Sequence, residues 1–328
     1  MMKTLLFFIT GMLFFSLNGR AGELLAQNDP AKAAPQADTA SQPEPDNTVL
    51  TKEQQESIQE SAEEEEAEET FLSTHKVNYF SINHKLGTHN EQAKYQISMK
   101  FRVLKPDIFE FMDKYFPVYF AYTQKSLWNQ GQRSKPFEES NYNPEVFFDY
   151  PVNAAINNRI ILRRIVFSPI EHESNGIAGD LSRNWDRTYV LIRFGLKTKE
   201  KLEETKSFLA DKAQLYVKCW YAWGYTAQTK YLQAKGANSD FLDYMGNGEI
   251  GVSLRNFLWG GAFKNHQLDF KTPISYNKRK DSFEYVFRQQ LPNMEFSLFL
   301  SYWHGYGETL QRFDQYGRRG FIGLAFTY

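Results

Sequence analysis

The sequence predicts an all-β chain, a 12-stranded antiparallel transmembrane β-barrel with a disordered acidic N-terminal extension. Three observations carry this prediction. The body of the chain alternates apolar and polar residues with period two, the chain opens on an export signal, and aromatic residues make up 16% of it.

The N-terminus comes first. Met1 to Lys3 bring one positive charge, Leu5 to Leu17 form an apolar stretch, and small residues follow at Gly19, Ala21 and Ala26. An apolar stretch of about thirteen residues is short for a spanning helix, which needs ~20. Residues 1–26 are therefore read as a secretory signal peptide. Residues 27–70 turn to Ala, Pro, Gln, Asp and Glu and end in "SAEEEEAEET". So little apolar surface cannot offset the entropy of ordering, so this stretch is read as a mobile linker. It also masks the charge of the remaining chain. Residues 22–70 hold 14 acids against Lys32 and Lys52, which leaves residues 71–328 with 25 acids and 34 bases, a net charge of +9. A basic body suits an anionic lipid surface.

Residues 71–328 are read as the barrel. In "KYQISMKFRVL", Tyr95, Ile97, Met99, Phe101 and Val103 alternate with Gln96, Ser98, Lys100 and Arg102, so one face meets lipid and the other water. The pattern returns at Ile250, Val252 and Leu254, at Met294, Phe296, Leu298, Leu300 and Tyr302, and at Ile322, Leu324, Phe326 and Tyr328. A soluble β-sandwich also alternates. Export, strands of about ten residues and the supply of aromatic residues for interfacial girdles favour the barrel. At roughly 20 residues per strand and connection the body holds about twelve strands, an even number as such barrels require. "KTKEKLEETKSFLADK" (Lys197 to Lys212) has helical spacing and would be a long turn.

One cysteine, Cys219, excludes an intrachain disulfide framework and argues against a Cys-based zinc site. "GNGEIG" (Gly246 to Gly251) satisfies a dinucleotide-binding spacing but precedes a strand instead of a helix, so no helix N-terminus is there to hold a pyrophosphate. No nucleic-acid partner is expected. His75, His84, His89, His266 and His304 have no ligand-like spacing and are read as strand or loop surface.

The segment that carries chemistry is "PIEHESNGIAGDLSRNWDRTYV", Pro169 to Val190. His172 and Ser174 are two apart on a strand and so share a face, where an imidazole can take the proton of a hydroxyl as it attacks. On the next strand Asp186 shares the greasier parity with Thr188, Val190 and Ile192. A carboxylate there is costly unless paired, and the hairpin between the strands allows His172 to be its partner. Arg164 has the same parity as His172, so a bulge or register change is expected between them.

These residues resemble the outer-membrane phospholipase A family of Gram-negative bacteria. The resemblance rests on "HESNG" followed by "SRNWDR", with "YTQKSLW" (Tyr122 to Trp128), "SKPFEESNYNPEVF" (Ser134 to Phe147), "DYMG" (Asp243 to Gly246) and "GYGETL" (Gly305 to Leu310) in the family's order. It implies a calcium-dependent hydrolase (A1, A2 and lysophospholipase) of phospholipid and lysophospholipid acyl esters in the bacterial outer membrane, with its site on the barrel's outer wall. Ser174 would be the nucleophile and His172 the base. The family's best-known members carry Asn at the third position, where this chain has Asp186. Retained activity with an altered pH dependence is expected, because a carboxylate also stabilises the imidazolium.

The resemblance further implies Ca2+ ligands at Ser134, the Ile177 carbonyl and Ser182, with Ser134 supplied by a second subunit. The active form would thus be a homodimer and the resting form a monomer. Backbone N–H groups near Gly176 would serve the oxyanion, and Gln124 would be a polar contact between subunits. The resemblance also implies that the lipid-facing site stays idle until phospholipid enters the outer leaflet. The competing reading is a catalytically silent barrel, a pore or a structural protein, with Lys100 and Arg102 facing its lumen.

Overall fold

The computed structural model describes residues 72–83, 92–103, 117–131, 133–157, 160–196, 213–225, 241–257, 265–274 and 280–326. The signal peptide, the acidic linker, Lys197 to Lys212, His84 and His89 lie outside the described residues.

Among the described residues thirteen strands form one antiparallel sheet. They are β1 (Leu72–Ser73), β2 (Asn78–Asn83), β3 (Gln92–Arg102), β4 (Val118–Asn129), β5 (Phe137–Ala155), β6 (Ile160–Ser174), β7 (Asn184–Leu196), β8 (Ala213–Tyr225), β9 (Gly248–Arg255), β10 (His266–Ile274), β11 (Ser282–Gln290), β12 (Phe296–Gly305) and β13 (Gly317–Phe326). Each strand from β2 to β13 pairs with the next, and β13 pairs back onto β2. The ring is therefore closed, which removes the free edges that an open sheet would expose. β1 pairs with the same strand as β2, through Leu72 and Phe101, so β1 and β2 are one stave broken at residues 74–77. The twelve-stave count agrees with the number read from the sequence.

The alternation sorts side chains as expected. On β13, Ile322 and Leu324 are 52% and 45% exposed on the outer wall, while Phe321 and Ala325 beside them are 4% and 1% exposed. Ile97, Phe120, Tyr302 and Phe326 extend the outer apolar surface around the barrel. Such a surface is stable only against lipid.

Inside, apolar clusters alternate with ion pairs. Tyr79 stacks on Phe299 at 4.3 Å between ring centroids. Near one mouth of the barrel a short helix α1 (Phe241–Met245) and the segment after β12 pack Phe241, Leu310 and Phe313 against Trp185. Lys94 meets Glu308 at 3.2 Å and Glu284 at 3.8 Å, and Lys271 meets Glu284 at 3.0 Å. A cavity of about 130 Å³ lies among Lys94, Lys125, Trp220, Glu249 and Glu284. The lumen is thus crossed by side chains from facing walls.

Two of the histidines, His75 and His266, depart from expectation. His75 lies inside, 2.7 Å from Glu145 and stacked on Phe147, and His266 is buried against Phe257. In a closed barrel the polar face of the alternation is the packed interior, so the strand-borne His266 is enclosed, and His75 is carried inward by the break between β1 and β2. His304 bonds Tyr316 near the same mouth. Gly248, within the glycine-rich hexapeptide, begins a strand as expected.

Candidate active site on the outer wall

The β6–β7 hairpin carries the candidate residues. β6 pairs with β7 through His172 and Asp186, and through Ser174 and Asn184. Direct cross-strand partners have neighbouring side chains. His172 Nδ1 and Asp186 Oδ1 accordingly stand 2.7 Å apart, with the two side chains 35% and 25% exposed. Ser174 follows on the same face of β6. No hydrogen bond joins its hydroxyl to the imidazole among the described residues, and such contacts commonly tighten only with substrate in place.

The expected irregularity of β6 is present. Register shifts fall between Leu162 and Arg164 and between Ser168 and Glu171. Before the second shift Arg164 reaches the buried Asp149 at 2.6 Å, and Ser168 is buried; after it Ile170 is exposed and Glu171 is buried. The extra residue turns even positions from the lumen to the outer wall. His172 and Ser174 face outward because of it.

A third shift, on the other flank, seats Asp186. β7 pairs with β8 through Asp186 and Gly224 and then through Arg187 and Ala222. A Cβ built on Gly224 would lie 2.6 Å from Asp186 Oδ2. The missing side chain is the room the carboxylate occupies. Gly224→Ala is expected to swing Asp186 off the imidazole and lower kcat by about 10- to 100-fold with KM little changed, since small misplacements at a reacting centre cost that much. Steady-state kinetics beside a thermal melt check it, and an unchanged kcat would dismiss the role given to this glycine.

The lumen side of the hairpin is braced by charge. Glu171 accepts Arg187 at 3.0 Å and Lys218 at 3.1 Å. Glu173 accepts Trp185 Nε1 at 2.9 Å and Arg187 at 3.3 Å, and the Arg187 guanidinium lies 3.7 Å over the Trp185 ring. Outward residues of the hairpin carry the candidate chemistry, and the inward residues between them anchor it.

Beyond Ser174 the chain turns through residues 175–183. Asn175, 3% exposed, donates from Nδ2 to the Leu181 carbonyl at 2.8 Å and accepts the Ile177 and Arg183 N–H groups at 3.3 and 3.0 Å. Its backbone N–H also donates to Arg183 O at 3.0 Å. This one side chain holds the loop closed, a role that spacing alone did not reveal although Asn175 stands inside the motif. Gly176 has φ of +64°, and a Cβ there would lie 2.8 Å from the Tyr142 ring. Only glycine suits that backbone and that approach.

Among the predicted cation ligands, Ile177 and Ser182 belong to this loop and Ser134 does not. The Ile177 carbonyl and the Ser182 hydroxyl accept no hydrogen bond among the described residues, whereas the Ser182 carbonyl is held by Arg183 at 2.8 Å. Neutral oxygens of this kind fit a hard cation that completes its shell with water. Ser134 sits at φ +67° in the β4–β5 turn, before the start of β5 at Phe137. Ser174 pairs with Tyr142, five residues down β5 from Phe137, and among the described residues no hydrogen bond joins Ser134 to the 175–183 loop. Gln124 is on the outer wall, paired with Ile97 on one side and Tyr142 on the other, and it donates to Ser126 at 3.3 Å. No group of three or more His, Cys, Asp or Glu suited to a metal occurs among the described residues.

The profile of the phospholipase A1 family matches residues 47–326. The chain belongs to the phospholipase A1 family. A Neisseria meningitidis serogroup B relative assigned to phospholipase A1 is 27% identical over 241 residues, covering 72% of this chain and 54% of the relative. Phospholipase A1 of Escherichia coli K12 is 24% identical over 202 residues, 58% of this chain and 55% of the relative. The chain thus spans about half the length of the curated relatives it matches. Outer membrane phospholipase A from Escherichia coli shares the fold with a TM-score of 0.60 at 21% identity, over 79% of this chain and 93% of that one. A Salmonella typhi outer membrane phospholipase, solved as a dimer with bound calcium, gives the same TM-score and identity over 78% and 92%. Family and fold together place the barrel in the bacterial outer membrane.

Proposed function

We propose that the chain is a calcium-dependent phospholipase acting from the outer wall of the barrel on phospholipid and lysophospholipid acyl esters, at the A1 and A2 positions. The observation that carries this reading is the 2.7 Å contact of His172 Nδ1 with Asp186 Oδ1, with Ser174 on the same outward face. A buried luminal triad would meet no lipid; this one opens where acyl chains lie.

Ser174 Oγ attacks the ester carbonyl while His172 takes its proton at Nε2. Asp186 accepts the Nδ1–H, fixing the tautomer and stabilising the imidazolium. His172 then protonates the departing alcohol, and in the second half it draws a proton from water to release the fatty acid. Backbone N–H groups at Gly176 serve the oxyanion. Ile177 O and Ser182 Oγ, with Ser134 of the partner subunit, would hold calcium, which when bound adds positive charge beside the oxyanion. The outward Gln124 supports a dimer formed through this wall.

Fatty-acid release from phospholipid–detergent mixed micelles tests the proposal, with calcium and with a chelator. Release is expected with calcium and is expected to fall to background with chelator. Release indifferent to chelator would remove the cation from the mechanism. In the same assay Asp186→Asn is expected to stay active with a shifted pH profile, and an identical profile would show that the charge is idle.

A further inference from the structure

We infer that Asn143 and Lys76 are positioning residues for His172, standing in for a backbone hydrogen bond that the β5–β6 ladder lacks. The inference deepens the proposed hydrolase and rests on the reading of His172 as its base.

The gap in the ladder is set by covalent structure. β5 pairs with β6 through Tyr142 and Ser174 and next through Glu145 and Glu171, with Asn143 and Pro144 unpaired between them. That register sets Pro144 opposite His172. Proline has no N–H, so it can give nothing to the His172 carbonyl across the ladder. A backbone carbonyl left without a donor in a packed wall is costly.

A side chain fills the gap. Asn143 is buried on the lumen face, and its Nδ2 donates to His172 O at 2.7 Å. The same Nδ2 lies 3.5 Å from Glu171 Oε1. Asn143 is held in turn by Lys76, whose Nζ donates to Asn143 Oδ1 at 2.7 Å. Lys76 comes from the break between β1 and β2, where the first stave leaves the wall and enters the lumen. Its backbone N–H donates to Ser98 Oγ at 3.0 Å, its Nζ lies 3.4 Å from Glu145, and His75 beside it is 2.7 Å from Glu145. The inserted turn is thus fastened at its base and reaches the carbonyl of His172 through one asparagine.

The geometry bears on the imidazole itself. Because the His172 carbonyl faces β5, its pairing with Asp186 on β7 is of the non-hydrogen-bonded kind, in which facing side chains come closest. Losing the brace frees the His172 backbone to rotate toward either neighbour, and the Nδ1–Oδ1 contact loosens with it. The first stave of the barrel therefore sets the aim of the base from inside the lumen.

The test uses the full refolded chain in mixed micelles with calcium, comparing unmodified protein, Ser174→Ala, Asn143→Asp, Lys76→Met and Lys76→Arg. Asn143→Asp is nearly isosteric and keeps an acceptor for Lys76, but it has no N–H for the carbonyl. Its kcat is expected to fall by about 10- to 100-fold with KM unchanged, with faster hydrogen exchange across Ile170 to Ser174. Lys76→Met is expected to lower kcat in the same way, and Lys76→Arg to restore most of it. Asn143→Asp with full kcat, beside an inactive Ser174→Ala, overturns the brace and leaves the hydrolase standing. Fatty-acid release that persists in Ser174→Ala overturns Ser174 as the nucleophile and His172 as its base, and this inference with them. Should a third carboxylate beside Glu145 and Glu171 prevent Asn143→Asp from folding, the Lys76 pair decides, since a Met variant as active as the Arg variant overturns the brace.

Discussion

Ser174→Ala is expected to abolish fatty-acid release, lowering kcat by at least about 10⁴-fold while the barrel stays folded. The size follows from covalent catalysis: without Oγ no acyl-enzyme forms, and His172, Asp186 and any oxyanion donors lose the step they serve, which is why removal of a serine nucleophile costs nearly as much as removal of a whole triad. The barrel should not notice the change. Ser174 ends β6 on the outer wall, and among the described residues its hydroxyl supports no hydrogen bond that a methyl group would lose. Circular dichroism and the heat-dependent gel shift of a folded barrel check integrity, and fatty-acid titration checks turnover. Undiminished release would move the nucleophile elsewhere and favour a catalytically silent role for the motif.

Glu171→Leu is expected to be the most destabilising change in the hairpin. Glu171 is 1% exposed and accepts Arg187 at 3.0 Å and Lys218 at 3.1 Å, with Lys76 at 3.9 Å. Removing the carboxylate leaves cations enclosed in the lumen without their shared counter-charge, which costs about 3–5 kcal/mol. Water in the cavity that Arg187 lines lowers that figure where it can reach the guanidinium. A compensating Arg187→Met in the same chain should recover part of the loss, because an apolar replacement of both partners removes the stranded charge along with its pair. Urea unfolding in detergent, followed by tryptophan fluorescence, measures both variants. A midpoint equal to that of the unmodified barrel would mean that the network contributes position and no stability. Activity should fall in parallel, since Glu171 is the residue next to His172 on the chain.

The architecture was legible in the sequence because a barrel wall is a two-sided solvent boundary. Period-two alternation at Ile97, Leu300 and Ile322 records directly which side chains meet lipid, and an even strand count follows from closure. The pairing of His172 with Asp186 was legible for a related reason: two strands joined by a short loop must be neighbours, and a carboxylate on the greasy parity needs a partner. Other features were hidden. Alternation reports a face only while the register holds, so the bulge after Ser168 that turns His172 outward was readable as a conflict with Arg164 and not as a position. His266 looked like surface because polarity on a strand does not distinguish water from a packed polar lumen, and His75 because the break that carries it inward has no period.

Spacing along one or two adjacent strands was enough to establish a barrel, a His-x-Ser pair on one face of a strand, a candidate carboxylate on the next, and a family motif around them. What holds that pair in place emerged from the folded chain alone: the room left by Gly224 on β8, the loop closed by Asn175, the salt bridges of Glu171, and the reach of Lys76 through Asn143 to the carbonyl of His172. Each joins residues whose separation in sequence carries no periodic signal. The last of these contacts exists because the sheet closes and brings the first stave to the β5–β6 wall across one narrow lumen.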